Sequence, residues 1–288
     1  MIVGTRESAL AMRQTTIFTC AARKLLRNEV FSIIKIKVSG DTDQVTPMHE
    51  MQGFGAFVRE LDRALLDGQI DVSVNSLKDV PIDGTPGITT VAVLPRDAVE
   101  DVSIPCPLSE LPDGAVVGTS SLRREALIRT HHPNLKTEPI RGNIHTRLEK
   151  LDSGKYDAIV LAKAGLDRMG IERKVSVLDP NIFIPAPAQG TISISCRSSD
   201  TVTIKKLEAL DNKPSRLETD FERTIMKMMG AGCTSPIGIN AKKLGGTLHV
   251  RAVSFEYSEE PICVDVRISA KYDEEDLYNI VNRLKGGS

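Results

Sequence analysis

Residues 1–12, MIVGTRESALAM, and residues 115–127, AVVGTSSLRREAL, share one plan: a short apolar strand, Gly-Thr, a serine, then a helix. A second echo follows the first. Residues 65–79, LLDGQIDVSVNSLKD, and residues 151–165, LDSGKYDAIVLAKAG, both run from a helix end through glycine and aspartate into a strand. A chain that repeats strand, helix and strand at two places must lay each set into its own parallel sheet with crossover helices. The expected fold is therefore α/β: two similar α/β domains forming a clamp, like type II solute-binding proteins, with a cleft between them.

The segments between the echoes fill in the plan. Leu10, Gln14, Ile17, Phe18, Ala21 and Leu25 fall on one helical face. Ile34, Ile36 and Val38 alternate with Lys35 and Lys37, as in a half-buried strand. Phe57, Val58, Leu61 and Leu65 are spaced as a helix, with Gly68 as its C-terminal cap. The alternating stretch QGTISISC at 189–196 is a strand that can return to the first half. Expected boundaries are residues 1–94 with 189–205 for domain 1, 95–188 for domain 2, and 206–288 for domain 3. The last is a small α+β domain with an antiparallel sheet. It holds a helix at 217–229, the loop around Cys233, strands in LHVRAVSF and ICVDVRIS, and a closing helix in EEDLYNIVNRL.

The 288 residues are 41% hydrophobic and 26% charged, with net charge −1. That balance suits a globular chain and gives no global field for a polyanion, so anions must be met by local arginine clusters. Five cysteines without a CxxC pair give neither a zinc spacing nor a disulfide framework. The first residues lack a signal-peptide core, and no stretch reaches transmembrane length. The expected setting is a reducing, cytoplasmic one. Aromatics are only 4% and no broad basic run occurs, which disfavours nucleic acid.

The basic residues gather where open α/β sheets bind ligands, beyond the carboxyl ends of strands. GTSSLRRE follows a strand and opens a helix, so Ser120 and Ser121 can cap it or donate, and Arg123 and Arg124 add forked charges. Arg6 and Ser8 stand at the matching point of the first half. Arg141, Arg147 and Arg168 complete a cationic set fit for a multiply carboxylated or phosphorylated small ligand. NSLKDVP supplies Lys78 and Asp79 in a proline-constrained loop, and a carboxylate among cations stays ionised. Cys233, in MMGAGCTSPIGI, has three readings: small loop filler, hydrolase nucleophile, or covalent attachment point. None of the five histidines lies in a cysteine-hydrolase motif.

Taken in order, GTRES.LA, FGAFVREL..ALL.G..D.SVNSLKDVP, VGTSSLRRE, RGNIHTRL.KLD.G.YDAI.LA.AGL.R.G, PA.AQG and GAGCTSPIG make the chain resemble the porphobilinogen deaminase (hydroxymethylbilane synthase) family over nearly its whole length. The resemblance implies a transferase of tetrapyrrole biosynthesis. It joins four porphobilinogen molecules head to tail, with loss of ammonia, into hydroxymethylbilane. The primer is a dipyrromethane cofactor, one per chain, carried on Cys233 through a thioether. The family's catalytic carboxylate matches Asp79. Family cofactor positions match Lys78, Asp79, Ser76, Thr119, Ser120, Ser121, Arg123, Arg124, Arg147 and Arg168; substrate positions match Arg6, Ser8, Arg141 and Arg147. No metal is implied, and the family expectation is a monomer whose partner is porphobilinogen, without nucleic acid or membrane.

Two positions depart from the family pattern. Asn75 stands where a histidine is common. Phe54 stands where the active-site loop commonly has a lysine, and between Gly53 and Gly55 it either covers the cleft or anchors the loop. Two other classes remain open on sequence grounds. A non-catalytic clamp for a small polyanion leaves the third domain unexplained, and a cysteine hydrolase lacks a base.

Overall fold

The structure is a computed structural model and describes residues 1–38, 58–232, 235–258 and 260–287. Its first sheet collects β1 (Ile2–Arg6), β2 (Ser32–Ile36), β3 (Val72–Ser76), β4 (Ile88–Val93) and, from far along the chain, β10 (Ile192–Arg197). Helices α1 (Ala9–Leu25) and α2 (Arg59–Leu66) make the crossovers. The second sheet holds β5 (Asp101–Ile104), β6 (Val116–Gly118), β7 (Lys136–Glu138), β8 (Ala158–Ala162) and β9 (Ser176–Val177). Its helices are α3 (Leu122–His131), α4 (Ile144–Asp152) and α5 (Lys163–Met169).

Strand order is β2-β1-β3-β10-β4 in one sheet and β7-β6-β8-β5-β9 in the other. The two match position by position. Three parallel strands come first, then one antiparallel strand that has just crossed from the other half. The sequence echoes have local causes. A Cβ on Gly4 would collide with Ile70, and one on Gly118 would come within 3.0 Å of Tyr156, the residues that lead into β3 and β8. Asp71 accepts from the Ile2 amide at 2.6 Å, and Asp157 accepts from the Val116 amide at 2.7 Å. Each aspartate thus pins the start of the neighbouring strand.

Apolar layers hold each half together. Phe18 and Ala22 of α1 pack on Val3, Val72, Val74, Ile192 and Ile194. Full burial of such side chains contributes roughly 1.5–3 kcal/mol each. The buried face of α1 is Ala11, Gln14, Thr15, Phe18, Thr19 and Ala22, turned from the expected one; Leu25 is exposed. The rotation occurs because a second surface competes for the helix: Leu10 and Gln14 face the cleft. Strand β2 also departs from expectation. It sits at the sheet edge, so Ile34 is exposed, while Ile36 is half-buried and Val38 buried as the alternation predicts.

Helix α6 (Thr201–Leu207) leads to the last part, where α7 (Lys213–Met229) and α8 (Glu274–Leu284) cover one face of an antiparallel sheet. That sheet has order β11-β12-β13, from Ile237–Leu244, Thr247–Ser254 and Ile262–Ser269. The first of these strands was not legible in sequence, because Gly238, Asn240 and two lysines break its apolar alternation. Phe221, Ile225 and Met229 of α7 meet Ile239, Val250 and Val264 of the sheet.

The two chain segments that link the sheets cross at Gly190. The Asp97 amide donates to its carbonyl at 3.0 Å. Gly190 has φ 87, and a Cβ there would lie 2.8 Å from the carbonyl oxygens of both Asp97 and Ala98. Only glycine permits this approach. Helix α7 braces the crossing: Glu222 accepts both forks of Arg96 at 2.8 and 3.0 Å and the Ala188 amide at 2.6 Å. Burial pushes the Glu222 carboxyl up, against the pull of Arg96.

Candidate active site

A cavity of about 580 Å³ opens between the two sheets and reaches α7. Its wall is made by chain emerging from strand ends. Arg6 and Ser8 follow β1; Ser76, Lys78 and Asp79 end or follow β3; Ser120 and Ser121 follow β6; Arg141 follows β7. Three helices start there. Ser8 caps α1 by accepting from the Ala11 amide at 3.3 Å, Ser121 caps α3 through the Arg124 amide at 3.5 Å, and Asn143 caps α4 through the Thr146 amide at 3.0 Å. Helix N-termini favour anions.

Among the described residues, eight arginine and lysine side chains line the cavity against two carboxylates, Glu7 and Asp79. The crowding shifts the proton affinities of the cations themselves. Burial first, then repulsion from Arg124 and Arg141, push the Arg147 guanidinium down to about 10. Burial likewise lowers the Lys78 ammonium to about 8, with Asp79 opposing and Arg124 reinforcing the shift. A cavity that strains its own cations gains by admitting carboxylates.

Behind the wall lies an anchor that sequence reading missed. Asp101 is fully buried and takes Arg123 at 2.8 Å on one oxygen and Arg124 at 2.7 Å on the other. Burial alone would raise the Asp101 carboxyl, but the two guanidiniums outweigh it and hold it well below the usual carboxylate range. Arg123 also donates to the Ile184 carbonyl and Arg124 to the Val160 carbonyl. Each of their terminal nitrogens therefore already has one acceptor in the protein. The Nε–H groups of both remain buried without an acceptor. Gln189 extends the anchor across the molecule. Its amide donates to Asp101 at 2.9 Å, and its oxygen accepts from Lys78 at 3.3 Å.

Other expected residues are placed as follows. Thr119 is buried and does not line the cavity; its hydroxyl accepts from the Ser121 amide at 3.2 Å, so it supports the capping serine from behind. Ser120 lines the wall, but its hydroxyl is taken up by both the amide and the carbonyl of Ile140. Ser76 accepts from Gln14 at 2.7 Å, which gives the one polar residue of the α1 stripe its reason. Arg168 lines the cavity while bonding Asp97 and the Gly190 carbonyl, which ties α5 to the crossing. Arg147 donates from Nε to the Gly142 carbonyl at 2.8 Å. Asn75 is buried and donates to Ser73 at 3.3 Å. Cys233 lies outside the described residues, as do Gly53, Phe54 and Gly55. The flanking Gly232 and Ser235 both line the cavity and bond each other at 3.2 and 2.9 Å.

Two matched α/β layers around a cation-lined cleft, closed on one side by a third sheet-and-helix unit, define a clamp-type α/β protein. Residues 1–205 match the model of "Porphobilinogen deaminase, dipyromethane cofactor binding domain". The chain belongs to the porphobilinogen deaminase family. It is 46% identical over 259 residues to a probable porphobilinogen deaminase of Methanosarcina barkeri, covering 88% of this chain and 81% of that protein. It is 43% identical over 281 residues to one of Methanosarcina acetivorans, covering 95% and 85%. Among solved structures, the periplasmic aliphatic sulphonate binding protein SsuA from Escherichia coli covers 81% of this chain and 75% of that chain. It is 15% identical with a TM-score of 0.41.

Proposed function

We propose that this chain is a hydroxymethylbilane synthase that polymerises four porphobilinogen molecules, with loss of ammonia, on a dipyrromethane primer. Family membership carries the activity, and the cavity supports the assignment of roles. Each pyrrole unit brings an acetate and a propionate, so the cation excess matches a ligand whose negative charge grows with every addition. The orphaned Nε–H groups of Arg123 and Arg124 fit cofactor carboxylates, and they are joined by Ser121, Lys78, Arg147 and Arg168. Arg6, Ser8 and Arg141, at the cleft's strand ends, take the incoming substrate with Arg147. Charge-assisted bonds of this kind contribute ~1.5–3 kcal/mol each before desolvation is subtracted.

When bound, the cofactor supplies the pyrrole carbon at which the new bond forms. The chain's own part is electrostatic. Porphobilinogen that loses ammonia becomes cationic, and Asp79, projecting from a 3-10 turn at Leu77–Asp79, stabilises that charge and accepts pyrrole N–H groups. Residues 1–94 with 189–205, residues 95–188 and residues 206–288 act as three domains of a cytoplasmic monomer. No described helix is long and apolar enough to cross a membrane.

Cys233 is the attachment point in this reading, supported by the flanking Gly232 and Ser235 on the cavity wall. Intact mass tests it. The purified chain should carry dipyrromethane, and Cys233→Ser should fold, lack that mass, fail to stain with Ehrlich's reagent and be inactive. Full activity in Cys233→Ser removes the residue from the mechanism.

A further inference from the structure

Asp79 is the last residue of a single 3-10 turn, and such a turn leaves carbonyl groups without helical partners. The turn closes on one bond, from the Val80 amide to the Leu77 carbonyl at 3.2 Å. Its front is tied to the chain crossing, where the Leu77 amide donates to the Thr191 carbonyl at 2.9 Å. The Leu77 side chain is buried against Val93 and Ala188. The first carbonyl of the turn and those of the two residues after it are also met from the third sheet-and-helix unit. Arg223 on α7 donates from one terminal nitrogen to Leu77 O at 3.2 Å and Val80 O at 3.0 Å, and from the other to Pro81 O at 2.7 Å.

The placement of Arg223 on α7 gives these bonds a consequence. The preceding residue, Glu222, fixes the same helix to the crossing through Arg96 and the Ala188 amide. One turn onward, Met226 lines the cavity. The helix then ends at Gly230, which has φ 70, and the chain passes directly to Gly232 and Ser235 on the cavity wall. One rigid helix therefore holds the turn that carries Asp79 and launches the loop that carries Cys233.

We propose that Arg223 is a positioning residue for the condensation: its guanidinium sets the turn at Leu77–Asp79, and with it the Asp79 carboxylate, in register with the cofactor loop leaving α7. The proposal rests on the catalytic reading of Asp79. It separates Arg223 from the other cavity arginines, because its terminal nitrogens serve backbone carbonyls of the turn that carries Asp79 and of the two residues leaving it. An ammonium at this position reaches one or two of the three carbonyls; an apolar side chain reaches none.

The test compares Arg223→Met and Arg223→Lys holoenzymes, with the loaded fraction taken from intact mass and turnover normalised to it. Hydrogen exchange over residues 76–82 reads the turn directly. In Arg223→Met, exchange at the Val80 amide should accelerate about tenfold or more, while exchange in β12 stays unchanged. kcat should fall by roughly tenfold to a hundredfold with KM within about threefold, because the loss falls on a transition-state contact and not on substrate binding. Arg223→Lys should recover part of both. Unchanged exchange at residues 76–82 overturns the proposal whatever the activity. A raised KM with intact kcat also overturns it and makes Arg223 a carboxylate ligand. Accelerated exchange together with full activity in Asp79→Asn would leave the turn anchored as described and locate the failure in the reading of Asp79.

Discussion

Lys78 Nζ lies 3.3 Å from Oε1 of Gln189, and the same Gln189 side chain donates to Asp101 on the far side of the cleft floor. A cation at the end of a first-sheet strand is thereby connected to the carboxylate that organises Arg123 and Arg124 in the second sheet. The cavity wall at Lys78 and the relation of the two sheets share one hydrogen-bonded path.

The Lys78 ammonium should make binding depend on pH. Burial holds it at about 8, below the ordinary lysine value of 10.5. A carboxylate beside it favours the charged form, so binding raises this value and takes up a proton at pH values around and above about 8. Porphobilinogen engagement should weaken as pH rises through about 8, and Lys78→Met should flatten that limb. Stability runs the other way. The unfolded chain binds more protons between pH 8 and 10.5, so the Lys78 contribution to stability rises with pH across that window. Calorimetry in buffers of different ionisation enthalpy reads the uptake; identical proton counts in parent and Lys78→Met would refute it.

Asp79→Asn keeps the shape of the side chain and removes its charge. Turnover should fall on the order of 10²–10³, since each tenfold corresponds to about 1.4 kcal/mol of barrier and a central charge contact is worth several times that. A preassembled cofactor should still be retained on the protein by mass. A loss below tenfold, with chemistry shown to be rate-limiting, would return Asp79 to a structural role.

Asp101→Asn removes the shared acceptor of two buried guanidiniums. Arg123 and Arg124 then repel one another without compensation, and breaking a buried pair in this way is strongly destabilising. Both urea stability and cofactor loading should drop, and loading should drop further than in variants of exposed arginines. Parental loading with parental stability would show that the anchor does not orient the pair.

Glu222→Ala strips Arg96 of its fork partner and orphans the Ala188 and Ala241 amides. The expected cost is ~3–5 kcal/mol. Thermal unfolding should begin on the order of 10 °C lower. Separate transitions for the last sheet and the rest of the chain would further indicate that this contact holds them together.

The repeated halves and the gathering of Arg6, Lys78, Asp79, Arg141 and Arg147 at the strand ends that line the cavity were legible in sequence, because strand and helix periodicity and motif order are short-range properties. The Gly-Thr and aspartate echoes were visible as well, although their cause, the contacts of Gly4 with Ile70 and of Gly118 with Tyr156, needed the fold. What the tertiary structure decided was how long-range neighbours share charge and surface. No local pattern marks Asp101, Glu222 or Arg223, and the motif that contains Gln189 does not reveal its partners, since each acquires its role from residues far away in the chain. For the same reason, Ile34 belongs to an alternating apolar set yet lies exposed on an edge strand, and Thr119 and Ser120, apt as donors by type, bond their own backbone surroundings instead. Hydrophobic pattern determines which elements form; which of their polar groups remain available to a ligand is settled only when packing has satisfied the others.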